Sequence, residues 1–400
     1  MKKIMLLILC LVAVLSVTAC GKKKDDDKIK IGLICLHDEN STYDKNFIDA
    51  MREMQKDLGL SDDQIIIKMN VPENNDCLVA CKDLVDRGCN IVIADSFNHE
   101  DFLIQAAKQF KDVQICHATG TKAHTEKLSN FHNAFANIYE GRFAAGVAAG
   151  LKLNQMIEEG KITADKAVMG YVGAFTYAEV ISGFTSFYLG AKSVCPTVTM
   201  KVQFTGSWYD ETGEKEAANA LINAGCVLIS QHADSMGAPT ACETAGVPNI
   251  SYNGSTVSAC PKTFIVSSRI NWSKYYAYVY NCVKEGKEIA TDWTGGFKEG
   301  SVELSAINEQ AAAPGTKEKV EAVIADLKAG KIKVFDTNTF TVDKGKKLES
   351  YKADIDTDKD FTPDTEVVSD GYFHESEKRS APAFDINIDG IEYLNVNYGD

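Results

Sequence analysis

The chain has 400 residues, of which 45% are hydrophobic and 24% charged, with 56 acidic against 42 basic side chains and a formal net charge of −14. That length exceeds what one hydrophobic core usually supports, so two lobes are expected. A net acidic chain without a lysine–arginine stripe argues against nucleic acid as a partner.

The N-terminus comes first in chain order. Lys2 and Lys3 precede an apolar run, Ile4 to Ser16, that is too short to span a bilayer stably. Thr18 and Ala19 then lead to Cys20 and Gly21. This run is similar to the bacterial lipoprotein signal, in which the cysteine is lipidated and becomes the mature N-terminus. Residues 1–19 are expected to be the signal peptide, Cys20 the lipid anchor, and 20–28 a spacer whose Lys22–Lys24 run suits anionic headgroups. The competing reading is an ordinary cleaved signal. Either way the body of the protein is expected outside the cytoplasmic membrane, in a periplasm or on an outer cell surface. An anchored body would sit at the cell membrane itself.

From Ile29 the chain alternates β-rich and amphipathic runs. Strands are predicted at Ile29–Leu36, Gln64–Val71, Asn90–Asp95 and Val113–His117, with helices near Asp44–Asp57, Cys77–Asp86 and His99–Gln109. The alternation restarts at Ala167–Gly173, Val198–Phe204, Val227–Gln231 and Pro248–Tyr252. Strands alternating with helices imply right-handed βαβ units and parallel sheets. An internal echo supports two similar halves. Leu84-Val-Asp-Arg-Gly-Cys-Asn-Ile-Val and Leu221-Ile-Asn-Ala-Gly-Cys-Val-Leu-Ile each read as a helix end, a capping glycine and a buried strand. The fold class is thus α/β, with two doubly wound Rossmann-like lobes facing each other across a cleft.

Ligands of open parallel sheets bind beyond the carboxyl ends of the strands. The loops there carry Tyr43, Phe97, Phe175, Tyr177, Trp208 and Tyr209, accompanied by Asp38, Asp44, Gln231, His232, Asp234 and Asn253. Flat rings edged by hydrogen-bonding groups suit a planar heteroaromatic ligand better than a free sugar or a metal. The twelve cysteines lack zinc spacing and a matching histidine pair, so no metal or other cofactor is expected.

These loops also carry a resemblance. Tyr43-Asp-Lys-Asn-Phe47, Glu140-Gly-Arg-Phe-Ala-Ala-Gly146, Gly170-Tyr-Val-Gly-Ala-Phe175, Glu179-Val-Ile-Ser-Gly183 and Leu189-Gly-Ala191 occur in order. Ser207-Trp-Tyr-Asp210, Glu216-Ala-Ala218, Gln231-His-Ala-Asp-Ser235, Asn271-Trp272 and Trp293-Thr-Gly-Gly296 follow. Between about Ile29 and Asn308 the chain resembles the basic membrane protein (BMP) family, the PnrA-like substrate-binding lipoproteins of ABC transporters. The resemblance implies a type I periplasmic-binding-protein fold with a three-strand hinge, crossing near Asn137, Ser255 and Glu288. Lobe 1 would be 29–136 with about 255–288, and lobe 2 would be 137–254 with about 289–345. Residues 346–400 would form a C-terminal extension packed on lobe 2.

It further implies a receptor, monomeric and without enzymatic activity, that passes a purine base or nucleoside to a membrane permease. Phe47 would stack on the base, with Phe175 or Trp208 on the opposite face and Phe97 and Trp272 close by. Asp44 and Asp234 would accept hydrogen bonds, while Gln231 and His232 read the base edge. Asn253 stands where the family has a ribose-binding aspartate, which leaves a free base open. Other readings compete for these residues. Phe47 and Met51 at i, i+4, and Trp272 and Tyr275 at i, i+3, also fit core faces of helices. The alternative functions are a receptor for another small solute and a secreted nucleosidase-type enzyme. The chain has no Gly-x-Ser-x-Gly, His-Glu-x-x-His, Walker or Gly-x-Gly-x-x-Gly motif, which weighs against the enzyme.

Overall fold

The computed structural model describes residues 28–355, 360 and 362–396, so the signal run and Cys20 lie outside the described residues. In chain order the first half runs β1 (Ile31–Ile34), α1 (Thr42–Asp57), β2 (Ile65–Lys68), α2 (Asn75–Asp86), β3 (Ile91–Ala94), α3 (Glu100–Gln109), β4 (Gln114–Ala118), α4 (Ala123–Glu126) and β5 (Phe131–Ala134). There follow α5 (Ile138–Glu158), β6 (Val168–Gly173), α6 (Ala178–Lys192), β7 (Thr199–Phe204), α7 (Glu211–Asn223), β8 (Leu228–His232), α8 (Gly237–Ala245) and β9 (Asn249–Tyr252). The chain continues through β10 (Phe264–Ile270), α9 (Ser273–Glu285), β11 (Asp292–Trp293), β12 (Val302–Leu304) and α10 (Thr316–Lys328).

The two sheets repeat one plan. The first is ordered β2-β1-β3-β4-β5-β11, and the second contains β7-β6-β8-β9-β10, edged by β12 and by the terminal strand Ile391–Tyr393. Within each lobe the first five strands follow the same doubly wound order, whose switch point lies between the first and third. The two echo segments occupy equivalent joints, α2 to β3 and α7 to β8. Gly88 and Gly225 adopt φ of 88° and 91°, and the next amides, of Cys89 and Cys226, reach back to Leu84 and Leu221 carbonyls at 3.0 Å each. That is the left-handed helix stop for which glycine carries no side-chain penalty.

The sequence also explains how tightly α5 and α6 pack. A Cβ on Gly146 would lie 2.0 Å from the Phe187 carbonyl oxygen, and one on Gly190 would lie 2.0 Å from that of Phe143. Only a bare backbone at both points lets the helices come together this closely. Helix α1 forms for a different reason. Ser41 caps it by accepting the Asp44 N–H at 3.2 Å, and Phe47, Ile48, Met51 and Met54 bury one face.

Three chain segments connect the lobes. The first crosses between β5 and α5, where Phe135 and Asn137 donate backbone N–H groups to Trp293 and Gly295 at 3.0 and 2.9 Å. The second and third fall elsewhere than expected. β10 is bonded to β9 and β12 in the second sheet, and β11 is bonded to β5 in the first. The second crossing is therefore at Ile270–Asn271, not near Ser255, and the third is at Thr294–Gly296, not near Glu288. Residues 264–270 belong to the second lobe, and β11 belongs to the first.

The C-terminal extension touches both lobes. Its strand Ile391–Tyr393 pairs with β7, and Glu375 accepts the Ser182 hydroxyl of α6 at 2.6 Å. Ser380, however, donates its N–H to Asp292 of β11 in the first lobe at 2.8 Å. The ten described cysteines are all buried and free. No helix among the described residues is long and apolar enough to cross a membrane.

Candidate functional site

A narrow pocket, open to the surface, lies between the carboxyl ends of the two sets of strands. The first lobe contributes Leu36, His37, Tyr43 and Asp44 after β1, Ser96 and Phe97 after β3, and Thr119 after β4. Glu179 after β6, Trp208 after β7, and His232 and Asp234 at the end of β8 come from the second. These are the loops flanking both switch points, where the sheet geometry splays neighbouring connections apart.

The rim of the pocket is aromatic. Phe97 meets Tyr177 across the cleft with centroids 5.4 Å apart, and Tyr177 stacks on Phe175 at 5.2 Å. Phe175 in turn contacts the Trp208 edge at 4.9 Å. His37 approaches Tyr209 at 5.5 Å on the other side. The lobes are drawn together here, and the floor is polar. Asp44, buried, accepts the His37 N–H at 2.8 Å and the Ser41 hydroxyl at 2.6 Å. Asp95 stands behind it, accepting the Leu36 N–H at 3.1 Å, while its second oxygen has no hydrogen-bond partner. Burial, reinforced by Asp44, raises the Asp95 carboxyl well above the usual carboxylate range. Cys35, Asp44 and Asp95 have potential ligand atoms within 4.8 Å of one another, yet both Asp44 oxygens are already engaged by protein donors. We read the trio as a buried carboxyl pair beside a thiol, not as a metal centre.

Asp234 faces Asp44 from the second lobe. Its side chain receives only a long 3.4 Å contact from Asn253, and burial followed by the charges of Asp44, Glu214 and Glu179 raises its pKa as well. Glu214 acts from α7. It accepts the Ser235 N–H at 3.2 Å and the Asp210 N–H at 3.1 Å, so one carboxylate fixes both the β8 loop and the start of its own helix. His232 directs Nε2 at Glu179, 3.5 Å away, and burial lowers its pKa despite that neighbour. Behind His232 the buried Arg142 donates to the Gln231 carbonyl at 3.0 Å and lies over the Tyr252 ring at 4.2 Å.

Of the residues predicted from sequence, Asp44, Phe97, Trp208, His232 and Asp234 line this pocket, with Phe175 one ring behind. Four others do not. Phe47 and Trp272 are buried and stack on each other at 4.4 Å, locking α1 against α9 in the core. Their helical spacing is satisfied by packing, so neither ring is left for a ligand. Gln231 is buried with its amide oxygen taken by Asn249 at 3.0 Å. Asn253, held at φ 66°, lines a separate groove of about 1250 Å³ with Lys45, Arg269 and Glu303. Sequence reasoning left Glu179 and Thr119 off the list of ligand contacts. Glu179 sits in the first turn after the Phe175–Tyr177 loop, a position that the strand-end rule could have flagged. Thr119, at φ 68°, follows a strand whose loop carried no aromatic signal.

Two doubly wound lobes, joined by three crossings among the described residues and facing each other across an aromatic, acidic cleft, define the two-lobed type I class of solute-binding receptors. Residues 34–336 match the family of PnrA-like ABC transporter substrate-binding proteins (Bmp), and the chain belongs to that family. It is 29% identical over 318 residues to a purine-binding protein of Brucella abortus, a match covering 79% of this chain and 85% of that one. A putative ABC transporter glucose-binding protein of Haloferax volcanii is 30% identical over 211 residues, 53% of this chain and 50% of its own length. Among solved structures, a solute-binding protein of an Aeropyrum pernix ABC transporter superposes with a TM-score of 0.64 at 15% identity, over 77% of this chain and 93% of that one. The protein is thus an extracytoplasmic small-molecule receptor of an ABC importer and not an enzyme, and the nucleosidase-type alternative falls.

Proposed function

We propose that this receptor, anchored through Cys20, closes its lobes over one small ring-shaped solute and presents the closed form to its permease. The observation that carries the proposal is the composition of the cleft: aromatic side chains from both lobes surround buried oxygen acceptors. Rings stack on rings at about 1–3 kcal/mol per base, and Asp44, Glu179 and Asp234 are placed to accept N–H or O–H donors from a ring edge. A purine base or nucleoside fits this description, and the Brucella relative that matches most of both chains is named for purines. A monosaccharide fits as well. Several carboxylates suit neighbouring hydroxyl groups, and the Haloferax relative is named for glucose. A monomeric receptor is part of this proposal, and a pocket lined by one chain supports it.

The test is mass spectrometry of small molecules released by denaturing the purified protein, paired with thermal shifts against purines, nucleosides and sugars. A released or stabilising ring solute is the expected result, and its identity chooses between the two classes. Stabilisation only by acyclic solutes such as simple amino acids would overturn the proposal.

A further inference from the structure

The pocket is one-sided in charge. Asp44, Glu179 and Asp234 place three carboxylates on its wall, Asp95 stands behind Asp44, and no lysine or arginine lines the pocket among the described residues. Arg142, the buried cation beyond His232, is turned to the Tyr252 ring and the Gln231 carbonyl. Two imidazoles also line it: His37 at the Tyr209 ring, and His232, whose pKa burial lowers despite Glu179. Thr119 adds a hydroxyl that is 3% exposed and without a hydrogen-bond partner, on a residue lining the same wall. Tyr43, Phe97 and Trp208 supply the remaining surface. Carboxylates beside aromatic faces form the set of groups that recognises a cation, the acids through charge and the rings through their electron-rich faces.

We infer that the solute carries a positively charged nitrogen on or beside its ring. The inference rests on reading the cleft as a ring-solute site. Both oxygens of Asp44 are occupied by protein donors, so Asp234 and Glu179, with only 3.4 and 3.5 Å contacts, are the carboxylates that meet the charge. Burial first, and the neighbouring acids second, raise the Asp95 and Asp234 carboxyls. A bound cation would offset the part contributed by the neighbouring acids.

Titration calorimetry on the full chain with two near-isosteric pairs tests this, at a pH that keeps the nitrogens charged. The pairs are 1-methyladenosine against adenosine and glucosamine against glucose. In the pair that binds, the cationic member is expected to bind at least roughly tenfold tighter. Glu179→Gln and Asp234→Asn should each remove most of that advantage, with neither urea midpoint falling below that of the wild type. Equal or tighter binding by the neutral member overturns the charge inference and leaves the ring-solute reading standing. If no probe binds, and a wider panel of neutral and cationic rings gives no stabilisation, both fall together.

Discussion

The backbone N–H and the hydroxyl of Thr42 both donate to the carbonyl oxygen of Asp234, at 2.9 and 3.1 Å. Thr42 opens α1 in the first lobe and Asp234 ends the β8 loop in the second, so the first turn of one lobe is capped by the backbone of the other. Helix starts carry unpaired N–H groups, and here one is satisfied by the facing lobe. Asn46, one turn on, ties the same helix to the second crossing by donating to the Ile270 carbonyl at 2.8 Å. Closure is therefore written into the same helix that presents Asp44.

Thr42→Val removes the hydroxyl bond and keeps the N–H bond. One such bond is worth about 0.5–1.5 kcal/mol, so solute affinity should fall roughly three- to tenfold. Calorimetry measures the loss, and small-angle scattering of the unliganded protein should show a larger radius of gyration than wild type.

Phe47→Ala and Phe97→Ala should separate core from site. Phe47 is buried against Trp272, and removing it should cost about 3–5 kcal/mol of fold stability. Phe97 is half-buried at the cleft, and its loss should weaken binding by about 1–3 kcal/mol with an unchanged urea midpoint. Denaturation curves and calorimetry on both variants check the assignment.

Much of this division was legible in the chain and some was not. The two βαβ series and the glycine-stopped joints at Gly88 and Gly225 follow from local chemistry, and so does the location of the pocket at strand ends. Phe47 and Trp272 were ambiguous because a helix face and a ligand shelf use the same aromatic residue at the same spacing. β10 escaped because Ser267, Ser268 and Arg269 dilute its apolar pattern. Both serines are buried, with the Ser267 hydroxyl donating to the Ser268 carbonyl at 3.3 Å, and missing the strand displaced the second hinge crossing. Glu179 went unassigned because a lone carboxylate in a first helical turn is indistinguishable from an ordinary dipole-compensating residue.

Stability should also depend on pH through two buried acids. Burial raises both Glu214 and Glu375 to about 7, against 4.5 for the free side chain. An acid whose folded pKa is raised favours the fold below its unfolded pKa, and that contribution disappears as pH climbs through the folded value. Between about pH 4.5 and about 7 the wild-type urea midpoint should therefore drift downward relative to a Glu214→Gln, Glu375→Gln variant. Parallel curves for the two proteins across that window would contradict the burial argument.

Gly146→Ala probes the α5–α6 contact. The new methyl would meet the Phe187 carbonyl at 2.0 Å, so the helices must separate, at a cost of about 1–3 kcal/mol. A lowered melting temperature with unaltered solute affinity is the expected pattern, because the Gly146–Phe187 contact lies two turns along α6 from Glu179, its residue at the cleft.

The most direct test of the central claim is a crystal structure of the protein with its solute. The solute should lie between Phe97 and Trp208, with Asp234 and Glu179 at its edge and Thr42 bonded to Asp234. Density instead in the groove of Asn253 and Arg269, or against Phe47, would contradict this account.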